Sequence, residues 1–269
     1  MKRLPWVMSP LLMVLLFAPI QTGRTVQTAL SEATTGEAPA HFVVPPDRTA
    51  DVANGNTDTL NWAGYANEGA TFTDVQGTFT QPSISCGKQL LAYAAFWVGI
   101  DGFNSDTVEQ IGTDSVCLGN ETSYAAFYEL YPASAVTLST TTYPVVAGDT
   151  LSAEVTATSA TTFTLTLKSS EGWTFSTTGS APSATESSAE WIAEAPSLCL
   201  LTTCTVLPLA KFGTVNFSGA SVTGNGTAGP ISAFSNQQVV MTTKKGKVKA
   251  QPSSLPPAGT SFSVTWHHA

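Results

Sequence analysis

Ala95-Phe96-Trp97-Val98-Gly99-Ile100-Asp101-Gly102, followed by Thr107-Val108-Glu109-Gln110-Ile111-Gly112-Thr113-Asp114, is the stretch around which the chain is organised. Two short apolar runs flank a polar loop containing Gly102, Asn104 and Asp106, which predicts a hairpin with a long turn. Gln110 is the odd member, an amide set between Val108 and Ile111. An amide on the inner face of a strand must find partners for its donors and acceptor or lose stability. It is either satisfied within the fold or kept available for a ligand.

Outward from this hairpin the same short-strand texture continues. Leu60–Ala66 reads as a first strand and Ala70–Thr80 as a second, stopped by Pro82. Ser123–Pro132 follows the hairpin, and alternation returns at Asp149–Ala157, Thr161–Lys168 and Gly172–Thr178. Further strands are expected at Ala189–Glu194, Thr214–Phe217, Ala220–Thr223, Val239–Thr243 and Ser261–Trp266. No stretch carries a capped amphipathic helix of three turns. Many short strands separated by Gly, Pro and Ser turns predict an all-β fold, an antiparallel β-sandwich in one domain.

The N-terminal end is of another kind. Lys2 and Arg3 precede an apolar run from Leu4 to Ile20 broken by prolines, the pattern of a secretory signal peptide over residues 1–22. Residues 23–56 mix Thr, Ala, Pro and Asp without periodicity and read as a pro-segment or flexible lead-in. The sandwich domain is expected over 57–269, in a secreted, extracellular protein that is free of the membrane once the signal is removed. Four cysteines in an exported chain imply disulfides. Cys199 and Cys204 enclose four residues and close a local loop, which leaves Cys86 to pair with Cys117 across the hairpin region.

Charge excludes one class of partner. Beyond residue 56 the chain carries 15 acids and 7 bases, and four of the seven bases are Lys244, Lys245, Lys247 and Lys249. A body so nearly free of cations is no nucleic-acid binder, because phosphate contacts need Lys and Arg. Asn120, Asn216 and Asn225 each begin a glycosylation sequon, a match expected by chance in a chain this rich in Ser and Thr.

Elimination narrows the chemistry. Histidine-based triads need an imidazole, and the body has only His267 and His268 at its C-terminal end. A zinc hydrolase fails for the same reason, with no CxxC to help, so no metal or other cofactor is expected. No phosphate-binding or dinucleotide loop occurs. Carboxylates remain. Glu190 and Glu194 are an even number apart and face one side of a strand while Trp191 faces the other. Glu129, between Tyr128 and Leu130, is a third carboxyl in aromatic surroundings. Such surroundings raise a carboxyl's pKa, as general acid–base work requires.

Five segments in order, Asn61–Gly64, Phe96–Gly102, Gln110–Asp114, Tyr128–Pro132 and Ala189–Glu194, resemble the successive motifs of the glutamic peptidases, or eqolisins. The resemblance runs over roughly residues 60–266. It implies a concanavalin-like sandwich of two large antiparallel sheets and a monomeric, pepstatin-insensitive acid protease. Such an enzyme cleaves polypeptide substrates with a Gln/Glu dyad. The family's catalytic glutamine falls on Gln110, and its catalytic glutamate on Glu194 rather than Glu190. Substrate-binding residues fall on Trp62, Trp97, Asp101, Asp114 and Glu129, and Cys199 and Cys204 sit where fungal members close a small loop. Ala125, Phe127 and Leu130 depart from the fungal pattern, as does Glu109, which stands where those enzymes carry an aliphatic residue.

Two other functions fit the same face. A glycoside hydrolase would use Glu129 and Glu194 as its carboxyl pair and would have no need of Gln110. A non-catalytic carbohydrate- or protein-binding sandwich would stack ligand on Trp62 and Trp97.

Overall fold

The computed structural model describes residues 56–200 and 203–269. The expected signal segment at 1–22, and all but the last residue of the expected lead-in at 23–56, lie outside them. The described part is built from strands β1 (Asn56–Thr59), β2 (Trp62–Glu68), β3 (Phe72–Thr80), β4 (Leu91–Ile100), β5 (Val108–Leu118) and β6 (Glu121–Tyr131). There follow β7 (Val136–Thr137), β8 (Thr150–Ser159), β9 (Thr162–Ser169), β10 (Thr174–Ser180), β11 (Ser188–Glu194), β12 (Ser197–Leu200) and β13 (Thr203–Val206). The last are β14 (Thr214–Gly224), β15 (Thr227–Gly229), β16 (Ser235–Thr242), β17 (Val248–Pro252) and β18 (Phe262–Trp266). The one helical element among these residues is a single 3-10 turn at Ile231–Ala233.

The all-β expectation holds, with a refinement in connectivity. The two layers are halves of one hydrogen-bonded path, β10-β9-β8-β3-β14-β18-β17-β16-β2-β11-β4-β5-β6-β7. The path folds over itself, so that β3, β8 and β9 pack against β4, β5 and β11 without pairing to them. Every ladder is antiparallel except β1 on β16. The two strands expected at 214–217 and 220–223 are one strand, β14, whose register shifts between Ser218 and Ser221 where it crosses β3. β17 escaped the sequence because its Lys-rich lead has no alternation.

Alternation in the central strands sorts side chains between the layers and an outer face. Phe96, Val98, Ile111, Trp191 and Ala193 point inward, onto Val75, Phe79, Leu151, Val155 and Phe217. Trp191 donates its Nε1–H to Gln76 O at 2.9 Å. Gly77 makes room for that ring, since a Cβ there would stand 2.7 Å from Trp191 Cδ1. The expected hairpin is present as β4 and β5, paired from Leu91/Leu118 to Ile100/Glu109. A Cys86–Cys117 disulfide ties the chain before β4 to the end of β5. Cys204 is disulfide-bonded and opposes Cys199 in the β12–β13 ladder. The Cys199 side chain lies outside what is described.

Candidate active site

The outer face of β2, β11, β4, β5 and β6 carries nearly all the polar residues expected to be functional. Register fixes this. Glu194 lies opposite Trp62 on one side and Ala95 on the other. Ala95 opposes Asp114, which opposes Ala125. Four residues along β4, Gly99 lies between Glu190 and Gln110, and Gln110 opposes Glu129. Residues paired across a ladder share a face. Thus Trp62, Glu190, Glu194, Asp114, Gln110 and Glu129 all stand on it, with Trp97 between the two ends.

All these groups are buried. Trp62, Trp97, Phe103, Val108, Phe127, Ile192 and Val239 form an apolar cluster around them. Trp62 and Trp97 meet edge to face, with ring centroids 4.8 Å apart. Trp97 does more than pack: its Nε1–H donates to Glu194 Oε2 at 2.8 Å. The other edge of the same indole reaches toward Gln110. A Cβ built on Gly99 would come within 3.1 Å of both Trp97 Cζ3 and Gln110 Cβ. Glycine at 99 is therefore what lets the indole lie flat between the expected catalytic pair. In backbone terms Gln110 and Glu194 sit about 10 Å apart across the strands and about 13 Å apart along them.

Gln110 donates its Nε2–H to Glu129 Oε2 at 3.0 Å, while its Oε1 is buried with no protein partner. One amide hydrogen is thus spent on holding the side chain. The second hydrogen and the carbonyl oxygen face the site. Glu194 shows the same division, with Oε2 held by Trp97 and Oε1 buried without a partner. Burial raises the Glu194 carboxyl well above its ordinary pKa. The Trp97 N–H offsets part of that, the Asp114 charge adds to it, and Trp62 and Asn61 favour the ionised form. Trp62 Nε1 makes no hydrogen bond of good geometry, so Trp97 is the stronger influence.

Glu190 is the rival carboxyl by position, directly across Gly99 from Gln110. Burial pushes its pKa well above normal too, and Asp101 and Glu109 raise it further. Ser188 and the Phe103 backbone ease this, yet neither Glu190 oxygen has a hydrogen-bond partner at good geometry. No indole donor polarises it.

Asp101, the remaining residue expected to bind substrate, is engaged with a neighbouring loop. Its carboxylate accepts from the backbone N–H groups of Thr185, Glu186 and Ser187 at 2.7–2.8 Å. It also accepts from the Thr185 and Ser187 hydroxyls, both at 2.8 Å. Asp101 therefore anchors the loop that feeds β11, with its own backbone left-handed at φ 67°. The Glu129/Glu194 pair of a glycosidase is not brought together: three strand spacings separate the two, and Glu129 is engaged with Gln110.

Two features were not singled out from the sequence as parts of the site. Asn61 lies near Glu194; its place at the head of the Asn61–Gly64 motif was the signal for it, though no role was assigned to it. The Gln110–Glu129 contact joins residues 19 apart, which only the β5–β6 register could reveal.

The profile of the Peptidase A4 family matches residues 60–266. Aspergillopepsin-2 of Aspergillus niger is 32% identical over 246 residues, covering 81% of this chain and 85% of that protein. The crystal structure of scytalido-glutamic peptidase with a peptide-based transition-state analogue superposes with a TM-score of 0.67 at 29% identity. It covers 77% of this chain and 98% of the other. SCP-B, an eqolisin-family peptidase in complex with the tripeptide Ala-Ile-His, superposes with a TM-score of 0.62 at 27% identity over the same shares.

Proposed function

The chain belongs to the peptidase A4 family and is a glutamic endopeptidase, and from that premise we propose that Glu194 and Gln110 carry out its chemistry in an acid medium. The observation that carries the assignment is the matched pair of buried, unpartnered oxygens, Gln110 Oε1 and Glu194 Oε1. They stand on one face at either end of the Trp97 indole. A buried polar atom without a partner is costly unless something outside the fold satisfies it.

In the proposed cycle, ionised Glu194 takes a proton from a water held between the two residues. The resulting hydroxide attacks the scissile carbonyl carbon. The free Gln110 N–H donates to the oxyanion of the tetrahedral intermediate. Protonated Glu194 then gives its proton to the amine nitrogen as the C–N bond breaks, which restores the carboxylate. General acid–base help contributes on the order of 10²–10⁴ in rate and one oxyanion donor roughly 10²–10³. Trp62, Trp97 and Asp114 shape the electrostatics around Glu194, Glu129 orients Gln110, and Asp101 positions β11.

The acid preference rests on the buried carboxyls. Outside the dyad, Glu109 and Glu190 are shifted toward their neutral forms, which suits a medium where little free energy is spent keeping them so. The basic start and apolar run of residues 1–22 support export, and no helix among the described residues is long and apolar enough to cross a membrane. The enzyme acts on polypeptides as a monomer in this reading.

The test is cleavage of an unfolded protein by the purified chain across pH 2–7, with pepstatin and a chelator present in parallel reactions. Acid cleavage resistant to both agents is expected. Cleavage abolished by the chelator, or none at any pH, overturns the proposal.

A further inference from the structure

The lysine-rich segment 244–249 has no part in the chemistry above, yet one of its members is buried. Lys249 lies on β17 at a register shift: Met241 pairs with Ala250 while Thr242 pairs with Val248. The extra residue is Lys249, and a bulge of this kind re-aims a side chain. It is only 8% exposed and lines a cavity of about 460 Å³ together with Leu60, Val206, Thr242, Thr243 and Lys244. Its Nζ makes one long hydrogen bond, to Leu60 O at 3.3 Å. Burial alone lowers its pKa, to about 8. No carboxylate among the described residues contributes to that shift.

Below pH 8 Lys249 is therefore a desolvated ammonium with one long hydrogen bond and no counter-charge among the described residues. A buried charge in that state is costly unless an anion completes it. The cavity sits at the Glu194 end of the outer face. Leu60 precedes Trp62, the ladder partner of Glu194, by two residues, about 7 Å along the chain. Its far wall includes Leu207, which packs on Tyr93, Val116 and Ala125 beyond Asp114. An extended peptide advances about 3.3–3.6 Å per residue, so the ligand group belongs two or three residues from the scissile bond.

We propose that this cavity is a carboxylate-binding subsite, in which Lys249, with Lys244 at the rim, takes an acidic side chain or the free C-terminus of the substrate. The proposal rests on the peptidase reading and adds a substrate class to it.

The test uses the full chain and peptides sharing one cleavable core. Positions two and three residues to either side carry Asp, Glu or cysteic acid, or else Asn, Gln or Ala, and each peptide is made as a C-terminal acid and amide. The ratio of kcat/KM between anionic and neutral peptides at pH 4–5 is the readout. A ratio of about tenfold is expected for one charge-assisted contact. Cysteic acid, ionised at every pH used, shows it most fully. Anionic side chains acting in amides identify the side-chain source; an effect confined to the acid forms identifies the C-terminus. In Lys249→Met the ratio falls to near one, and in Lys244→Met, at the exposed rim, it falls partway. Equal wild-type rates for neutral and anionic peptides overturn the subsite while leaving the peptidase reading intact. A preference that survives Lys249→Met overturns its placement. Failure to cleave any peptide overturns the peptidase reading and the subsite with it.

Discussion

Gln110 Nε2 donates to Glu129 Oε2 across 3.0 Å, and this one contact decides which end of the amide faces the site. A carboxylate acceptor fixes the nitrogen on the β6 side and turns the carbonyl oxygen away from it. A neutral residue with a free rotor at its end is thereby oriented, its carbonyl oxygen left without a protein partner and one N–H unspent.

Glu129→Gln tests that role. The variant has the same shape but no longer dictates the Gln110 orientation, since an amide pairs with either end of another amide. A fall of about tenfold in kcat is expected with KM little changed and the melting temperature within a few degrees of wild type. Unchanged kcat would show that Gln110 needs no such partner.

Trp97→Phe keeps the ring that lies over Gly99 and deletes the N–H on Glu194 Oε2. That N–H favours the ionised carboxyl, so its loss moves the Glu194 pKa further up. The active base form is lost as pH falls, so the acid limb of kcat/KM shifts to higher pH. Burial already raises this carboxyl, so in wild type the limb stands above the ordinary carboxylate value. A pH–rate profile measured on both proteins checks the direction. A limb that stays put or moves down would mean that Trp97 does not act on the catalytic carboxyl.

Glu109 predicts how stability depends on pH. Burial, then the Asp101 charge beside it, lift its pKa from 4.5 to about 9. The folded protein thus holds a proton that the unfolded chain releases near 4.5. The stabilisation is complete below pH 4.5 and is lost as pH rises toward 9, at up to ~1.4 kcal/mol per pH unit. Glu109→Gln puts a neutral amide of the same shape near Asp101 and removes the titration. Its melting temperature is expected to match wild type at pH 4 and to exceed it by a margin that grows from pH 5 to 9. Parallel curves would show that Glu109 is not buried as a neutral acid.

Much of this was legible in the sequence, and the reason is periodicity. The even spacing in Ala189–Glu194 already set the two glutamates on one side of a strand and Trp191 on the other, and the strand bears that out. What alternation does not encode is pairing between distant strands. It placed Gln110 and Glu129 on strands without putting them opposite each other, and it gave no reason to bury Lys249, whose orientation depends on a one-residue bulge. Asp101 fell among the expected cleft residues through the family resemblance alone. Its carboxylate is occupied by a loop 84–86 residues away, a long-range contact no local pattern announces.

The central claim is that Glu194, not Glu190, is the carboxyl that works with Gln110. Both are buried glutamates on one face of β11, and register alone favours Glu190. The most direct measurement is kcat/KM for Glu194→Gln and Glu190→Gln side by side, on one peptide, with melting curves to show that each is folded. Loss of at least about 10³ in Glu194→Gln, with Glu190→Gln within about tenfold of wild type, is the expected result. The reverse pattern, with Glu194→Gln active and Glu190→Gln inactive, would contradict the account.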